Sequence, residues 1–400
     1  MPKVKDFEKS LKEHLETAKE IVKGRKICSN CLGRQFAQLG HGFTNKERGD
    51  TILKLLKEKP YKKNDTNLQI NIKAQTCEIC NNLLANLDKY VDQVLKQLKG
   101  MEFKTLLVGT ILNQDLLKRE ESLLEDFPIE FCESIKSEIN RELGKLISKK
   151  LKKEMDRENP EVNITLNLIR DKIELRVSPL YFYSGYKKLI RGIPQTKWDM
   201  YPETVEDIIA EPFMKTTKAE GHSLHGMGRE DIDARCLDFR PFVLEIEGPK
   251  KRKVDLEKMR KEINKTKKVE VSKFFPTDKG KVREIKEARP YKTYRALVEF
   301  ENPIKDLEKL KQLKATISQR TPERVAHRRA MLVRKRKVKD IKWKKISEKE
   351  IELEVTGEAG LYIKELVSGD KGNTKNSVSE ILGNPAKVKE LDVIKVWIKK

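Results

Sequence analysis

Apolar residues return at spacings of three and four in Phe7, Leu11, Leu15, Ala18 and Val22, which predicts an amphipathic helix over residues 7–23. A second helix is expected over 83–98. Leu83, Leu84, Leu87, Val91, Val94, Leu95 and Leu98 share one face there, and Gly100 follows as a stop. From Thr105 the pattern shortens to a strand at 106–112, and Ile135, Ile139, Leu143, Ile147 and Leu151 then mark a helix by their four-residue intervals. Val162, Ile164, Leu166 and Leu168 alternate with polar positions, as do Ile173, Leu175 and Val177, the pattern of half-buried strands. Further strands are expected near 242–247, 291–300 and 351–356. The mixture reads as an α+β chain.

Four hundred residues exceed one small domain and suggest two or three. The changes of pattern divide the chain into 1–82, 83–178 and 179–400. No Gly/Ser-rich or Pro-rich linker separates these parts, so they are expected to pack. Charged residues make up 37%, well above the usual share of about a quarter. Lysine and arginine outnumber acids 86 to 63, a net charge of +23, which points to polyanionic partners, nucleic acid first. No segment approaches the roughly 20 apolar residues of a spanning helix, and the amino terminus has no apolar signal core. A cytoplasmic protein without a membrane partner is therefore expected. No obligate protein partner is evident.

Four of the six cysteines form two pairs, Cys28-Ser29-Asn30-Cys31 and Cys77-Glu78-Ile79-Cys80. Each C-x-x-C knuckle can present two thiolates to one side of a tetrahedral ion, and two knuckles complete a four-cysteine zinc site. Such a closed set leaves no open position, so the zinc would be structural. The 45 residues between the pairs must return their ends to one place. Disulfides are the competing reading, and a cytoplasmic setting argues against them. His222 and His225 stand three apart between Gly221 and Gly226, which suggests a loop rather than a metal site.

Candidate chemistry concentrates in the last part. Gly228-Arg229-Glu230-Asp231-Ile232-Asp233-Ala234-Arg235 places aspartates on a glycine-led turn ahead of the alternating run Phe242, Leu244, Ile246. A carboxylate so placed is positioned by the sheet. Asp231 is the leading candidate and Asp233 its competitor. In Tyr291-Lys292-Thr293-Tyr294-Arg295-Ala296-Leu297-Val298, Tyr294 shares a strand face with Ala296 and Val298 and offers a ring on which a flipped-out base can stack. Gly360-Leu361-Tyr362-Ile363-Lys364-Glu365-Leu366 encloses Lys364 among apolar neighbours, as a surface residue or the partner of a carboxylate. Residues 318–345 carry twelve Lys/Arg and two acids and are expected to project beside the pocket mouth, a solvated helix or loop in the plainest reading.

The order R-x-D, K-x-Y-R-A-x-V and G-x-Y-I-K-E-L resembles the three catalytic motifs of pseudouridine synthases. With the strings from Lys188 to Gln195, from His225 to Asp231 and from Arg320 to Arg329, and with the two knuckles, the whole chain resembles the archaeal Pus-ten family of tRNA pseudouridine synthases. The resemblance implies a zinc-binding module, a THUMP-like α/β RNA-binding domain at 83–178, and a catalytic domain at 179–400 with a mixed, mainly antiparallel sheet. It implies tRNA as partner through the T-arm, with uridine 55 and also uridine 54 as targets, and no catalytic cofactor. It further implies that Asp231 is the catalytic aspartate, Tyr294 packs on the target base and Lys364 pairs with the aspartate. Ile363 and Leu366 would line the base pocket, and Arg328 and Arg329 would contact RNA. Nucleophilic attack at C1′ or C6 and proton abstraction at C2′ all remain open to one carboxylate.

Two other readings compete. A non-catalytic zinc and THUMP RNA-binding protein accounts for the charge and cysteines but not for the three motifs. A different THUMP-based modifying enzyme would need a G-x-G-x-x-G or P-loop, neither of which occurs.

Overall fold

The computed structural model describes residues 2–39, 41–58, 76–328 and 330–398, without the side chains of 2–6 and 326–328. The chain divides into two compact units, Met1–Ser178 and Pro179–Lys400.

The first unit opens with α1 (Pro2–Leu11) and α2 (Leu15–Gly24), two helices where one continuous helix was expected. A 3-10 turn at Lys12–His14 separates them while Phe7, Leu11, Leu15, Ala18 and Ile21 stay on the buried side. The next two helices, α3 (Ser29–Gln35) and α4 (Asn45–Glu58), cross at very short range. A Cβ on Gly33 would lie 1.8 Å from the Asn45 carbonyl oxygen, and one on Gly49 would lie 1.9 Å from that of Ser29. Only glycine permits that approach. After α5 (Asp88–Gln97) come β1 (Thr105–Ile111), α6 (Gln114–Asp126), α7 (Ile135–Leu151), β2 (Glu154–Met155), β3 (Val162–Asn167) and β4 (Lys172–Val177). Side chains of Asn113 and Ser134 accept from the first turns of α6 and α7 and so begin those helices. The sheet runs β2-β1-β3-β4, parallel except for β4. One apolar cluster extends from Phe7 to Ile173, so the expected boundary at 82/83 falls inside a shared core.

The second unit contains β5 (Leu180–Lys188), α8 (Val205–Thr217), β6 (Gly221–Gly226), β7 (Ala234–Glu247), α9 (Leu256–Lys265), β8 (Val269–Val271), β9 (Phe275–Thr277) and α10 (Lys279–Glu287). It continues with β10 (Tyr291–Phe300), β11 (Thr316–Arg320), β12 (Val333–Lys345), β13 (Glu350–Gly357), α11 (Ile363–Ser368), α12 (Val378–Leu382) and β14 (Ala386–Trp397). Ten strands form one sheet along β11-β12-β13-β10-β14-β7-β5-β8, with β6 on β7 and β9 on β5. Its pairings are antiparallel except where β14 meets β7, at 391–393 beside 234–236. That junction brings the start of β7 and the middles of β10 and β14 together. The histidine segment expected as a loop is strand β6, because its glycines stand at the strand ends. The basic stretch at 318–345 is chiefly a hairpin: β12 lies antiparallel to β11 and β13, with a 3-10 turn at Glu323–Arg328 ahead of it.

Candidate active site

The turn between β6 and β7 is held from behind by charged groups inside the unit. Lys188, on β5, donates from Nζ to the carbonyl oxygens of Asp231 at 3.0 Å, Ile232 at 3.1 Å and Ile193 at 3.0 Å. Gln195 donates to the Gly228 carbonyl at 3.0 Å and to the Tyr186 hydroxyl at 2.7 Å. Tyr186 in turn donates to Glu230 at 2.9 Å, while Arg240 forms a 3.1 Å ion pair with Glu230 and donates to the Met227 carbonyl. The side chains of Lys188, Glu230 and Arg240 are wholly buried. Burial pushes the pKa of Lys188 down and that of Tyr186 up. For Arg240 burial works against the charge, but the neighbouring Cys236 and Glu230 raise its pKa overall. Losing one member would leave a buried charge uncompensated, a costly event. The set therefore works as a rigid backing for the turn. Gly228 adopts φ +72°, a left-handed conformation that suits glycine.

From this backing the Asp231 carboxylate reaches outward, with its side chain 29% exposed. Arg324 grips it with two nitrogens, Nη1 to Oδ1 and Nη2 to Oδ2, each at 3.1 Å. The same guanidinium donates from Nε to Glu365 at 2.7 Å, which fixes its plane. Lys364 stands 3.6 Å from Asp231 Oδ2 and donates to both Asp233 oxygens at 2.7 and 2.6 Å. Burial opposes the charge on Asp233, yet the Lys364 hydrogen bond holds its carboxyl below the usual range. Burial likewise opposes Arg324, whose pKa is nonetheless raised by its bonds to Glu365 and Asp231. The expected pairing of Lys364 with Asp231 is thus shared: its closer partner is Asp233, and the bidentate contact to Asp231 comes from Arg324.

Tyr294 lies half-buried on β10, across from Val355 of β13 and Val393 of β14, packed against buried Cys236, Val393 and Val396. Burial pushes its hydroxyl pKa up to about 12. Asp231, Tyr294, Ile363, Lys364, Leu361 and Lys292 line one cavity of about 530 Å³, within the usual range for small-molecule sites. A second concavity of about 540 Å³ shares Arg229, Asp231, Arg324 and Lys364 and extends to Trp198. Leu366, expected in the pocket, is not among its lining residues. It sits nearly one turn along α11, fully buried in the core with Ala296, Leu353 and Val378. The Arg328 and Arg329 side chains lie outside the described residues.

Sequence reasoning assigned no role to Arg324, Lys188, Glu230 or Arg240. The one available signal was charge at positions where strand or turn neighbours are apolar, as in Lys188-Leu189-Ile190 and Arg240-Pro241-Phe242. In the first unit, the sulfur atoms of Cys28, Cys31, Cys77 and Cys80 all lie within 4.8 Å of one another, and those of Cys28 and Cys80 are 3.7 Å apart. A tetrahedron with bonds of about 2.3 Å has edges of about 3.8 Å, so the four thiols could hold a metal ion. His222 and His225 are engaged instead by Glu206 at 3.3 Å and Glu245 at 2.8 Å.

Comparison with known proteins matches the family model "Pus10, C-terminal" over residues 181–397 and the archaeal Pus10 THUMP domain over 90–167. A tRNA pseudouridine synthase Pus10 from Methanothrix thermoacetophila is 40% identical, with 96% of this chain and 94% of that protein covered. The protein of the same name from Pyrococcus furiosus is 41% identical over 96% of this chain and 97% of its own. Among solved structures, a Cbf5-Nop10-Gar1 complex has 19% identity and a TM-score of 0.33, covering 53% of this chain and 48% of that one. Matches of this length and identity to the Pus10 relatives leave one assignment, and the chain belongs to the Pus10 family of tRNA pseudouridine synthases.

Proposed function

We propose that this synthase isomerises uridine in the T-loop of tRNA, at position 55 and also at 54, using the carboxylate of Asp231. The supporting observation is the placement of that carboxylate at the edge of a cavity whose wall carries Tyr294, between the two cations Arg324 and Lys364. The isomerisation breaks the N1–C1′ bond and joins C1′ to C5. C5 gives up its proton and N1 gains one, so no redox equivalent is consumed. A base inside a folded T-loop must leave its stack to be reached, and an aromatic wall can receive it. Affinity for tRNA comes chiefly from phosphate contacts, which a chain of net charge +23 can supply, Arg328 and Arg329 among them. Among the described residues no helix is long and apolar enough to cross a membrane. A cytoplasmic setting, where tRNA is present and thiols stay reduced, suits this role. The metal at the four cysteines is zinc, and it serves the fold of the first unit.

T-loop transcripts carrying 5-³H-uridine test the assignment, since release of tritium reports substitution at C5. Release should be reduced by cytidine at 55 or at 54 and lost when both positions carry cytidine. Unchanged release from the doubly substituted transcript would move the target elsewhere in the tRNA.

Tyr294 should separate ring from hydroxyl. Tyr294→Phe is expected to bind and turn over close to wild type, whereas Tyr294→Ala loses about 1–3 kcal/mol, the range measured for base stacking. Steady-state kinetics on the same transcripts decide it. If Tyr294→Phe fails in turnover at unchanged affinity, the hydroxyl transfers a proton; wild-type behaviour of both variants would place the base elsewhere.

A further inference from the structure

Lys292 is the second residue of β10, two positions before Tyr294, and lines the same cavity. It is only 6% exposed. Its ammonium makes no hydrogen bond or ion pair with any described residue, unlike Lys188 and Arg240 nearby. The group lies against the turn: a Cβ on Gly228 would stand 2.7 Å from its Nζ. Around it are Arg240, Cys236 and Glu230 from β7 and the preceding turn, and Arg289 ahead of β10. Glu230 is already engaged by Tyr186 and Arg240, and the two arginines repel a further cation. Burial, and then Arg240, push the lysine pKa down to about 7.

An ammonium on a side chain this buried, facing only the cavity and without a protein partner, loses much of its hydration, and that loss destabilises the fold. Such a group persists where a ligand supplies the missing acceptor, a familiar conflict between stability and activity. An ammonium has three donors and no acceptor. A uracil ring stacked on Tyr294 would carry two carbonyl oxygens, O2 and O4, into the cavity. A phosphate bears full charge and is better served at the mouth by exposed cations. We propose that Lys292 donates a hydrogen bond to a carbonyl oxygen of the target uracil and thereby recognises the base. This rests on the reading that the Asp231 cavity receives the uridine.

The test uses the full chain, wild type and Lys292→Met, with T-loop RNAs carrying uridine, 2-thiouridine or 4-thiouridine at the target, and product nucleosides counted. Lys292→Met should lower kcat/KM on uridine by about 10- to 100-fold, the scale of a hydrogen bond to a charged group. RNA affinity and its salt dependence should stay as in wild type. One of the two thio substitutions, sulfur being the weaker acceptor, should slow the wild type but cost the variant nothing further. Denaturant unfolding supplies a second readout. The folded pKa of about 7 lies below the ordinary 10.5, so the unfolded chain binds more protons between those values and wild-type stability from this group rises with pH across that window. The variant should therefore be at least as stable as wild type, with its advantage greater at about pH 6 than at about pH 9.

Equal thio penalties in both proteins, undiminished turnover by Lys292→Met, or its lower stability would each overturn the proposal. A shallower salt dependence would do so too, by placing a phosphate on Lys292. Asp231→Asn, run beside it, separates this outcome from failure of the site itself: activity in that variant would remove the cavity from the reaction whatever Lys292 does.

Discussion

Asp231→Asn is expected to abolish pseudouridine formation, by more than about 10⁴-fold, while tRNA affinity stays near wild type. A group acting in the bond-making steps costs that much when removed, whereas uniform binding from phosphate contacts is untouched. Asparagine keeps the shape of the side chain but neither attacks carbon nor accepts a proton at neutral pH. The variant should fold, because the Lys188 hydrogen bonds hold the turn through backbone carbonyls of Asp231 and Ile232 rather than through the carboxylate. The carboxylate itself is partly solvated, so its ion pairs with Arg324 and Lys364 add little to stability. Asp233→Asn serves as the control. It frees Lys364 from its closer partner, so a partial loss is expected. Tritium release and filter binding on one transcript measure both effects. Full activity in Asp231→Asn, or loss confined to Asp233→Asn with folding intact, would falsify the assignment.

The reach of sequence reasoning followed the distance over which each residue acts. Period and spacing are local, and β10 and α7 match the expected spans end for end. The turn carrying Asp231 was legible for the same reason, since Gly228 and the alternating run of β7 are its immediate neighbours. Arg324 was not. It stands 93 residues from Asp231, on a 3-10 turn in a stretch where positive charge is the rule, and only the packing of β11 and α11 singles it out. The same stretch was expected to project because it falls between two catalytic strands, and its own strands escaped notice because they carry little apolar alternation; in β12, Val338 is the buried position. Leu366 was expected at the pocket because the family resemblance implied it, not from any local pattern. The motif is the start of a short helix, so Ile363 stays at the cavity while Leu366 enters the core. Lys188, Glu230 and Arg240 show a further limit. Their role exists only as a mutual arrangement, which no single position announces.

One zinc per chain is expected at Cys28, Cys31, Cys77 and Cys80, and Cys28→Ser should lose both the metal and the stability of the first unit. The two knuckles come from distant parts of the chain, yet Cys28 and Cys80 bring their sulfur atoms to 3.7 Å, close to the edge of a zinc–thiolate tetrahedron. Thiols at that separation could otherwise only pair as disulfides or bury their polarity. Fully buried Arg34 lies beside Cys31 and pairs with Glu120 at 2.5 Å and Glu138 at 3.5 Å. A cation there offsets the net negative charge of four thiolates on one divalent ion and steadies the ligands from outside. The cluster also ties Cys77 and Cys80 to α3, whose close crossing with α4 depends on Gly33 and Gly49. Binding energy of a structural zinc is folding energy, on the order of 10 kcal/mol in small zinc domains. Chelation should therefore lower the unfolding temperature of the protein markedly, and readdition of zinc should restore it. Elemental analysis of protein purified without added metal gives the stoichiometry. A value near zero, or wild-type unfolding after chelation and in Cys28→Ser, would leave the four cysteines as a buried thiol cluster without a metal role.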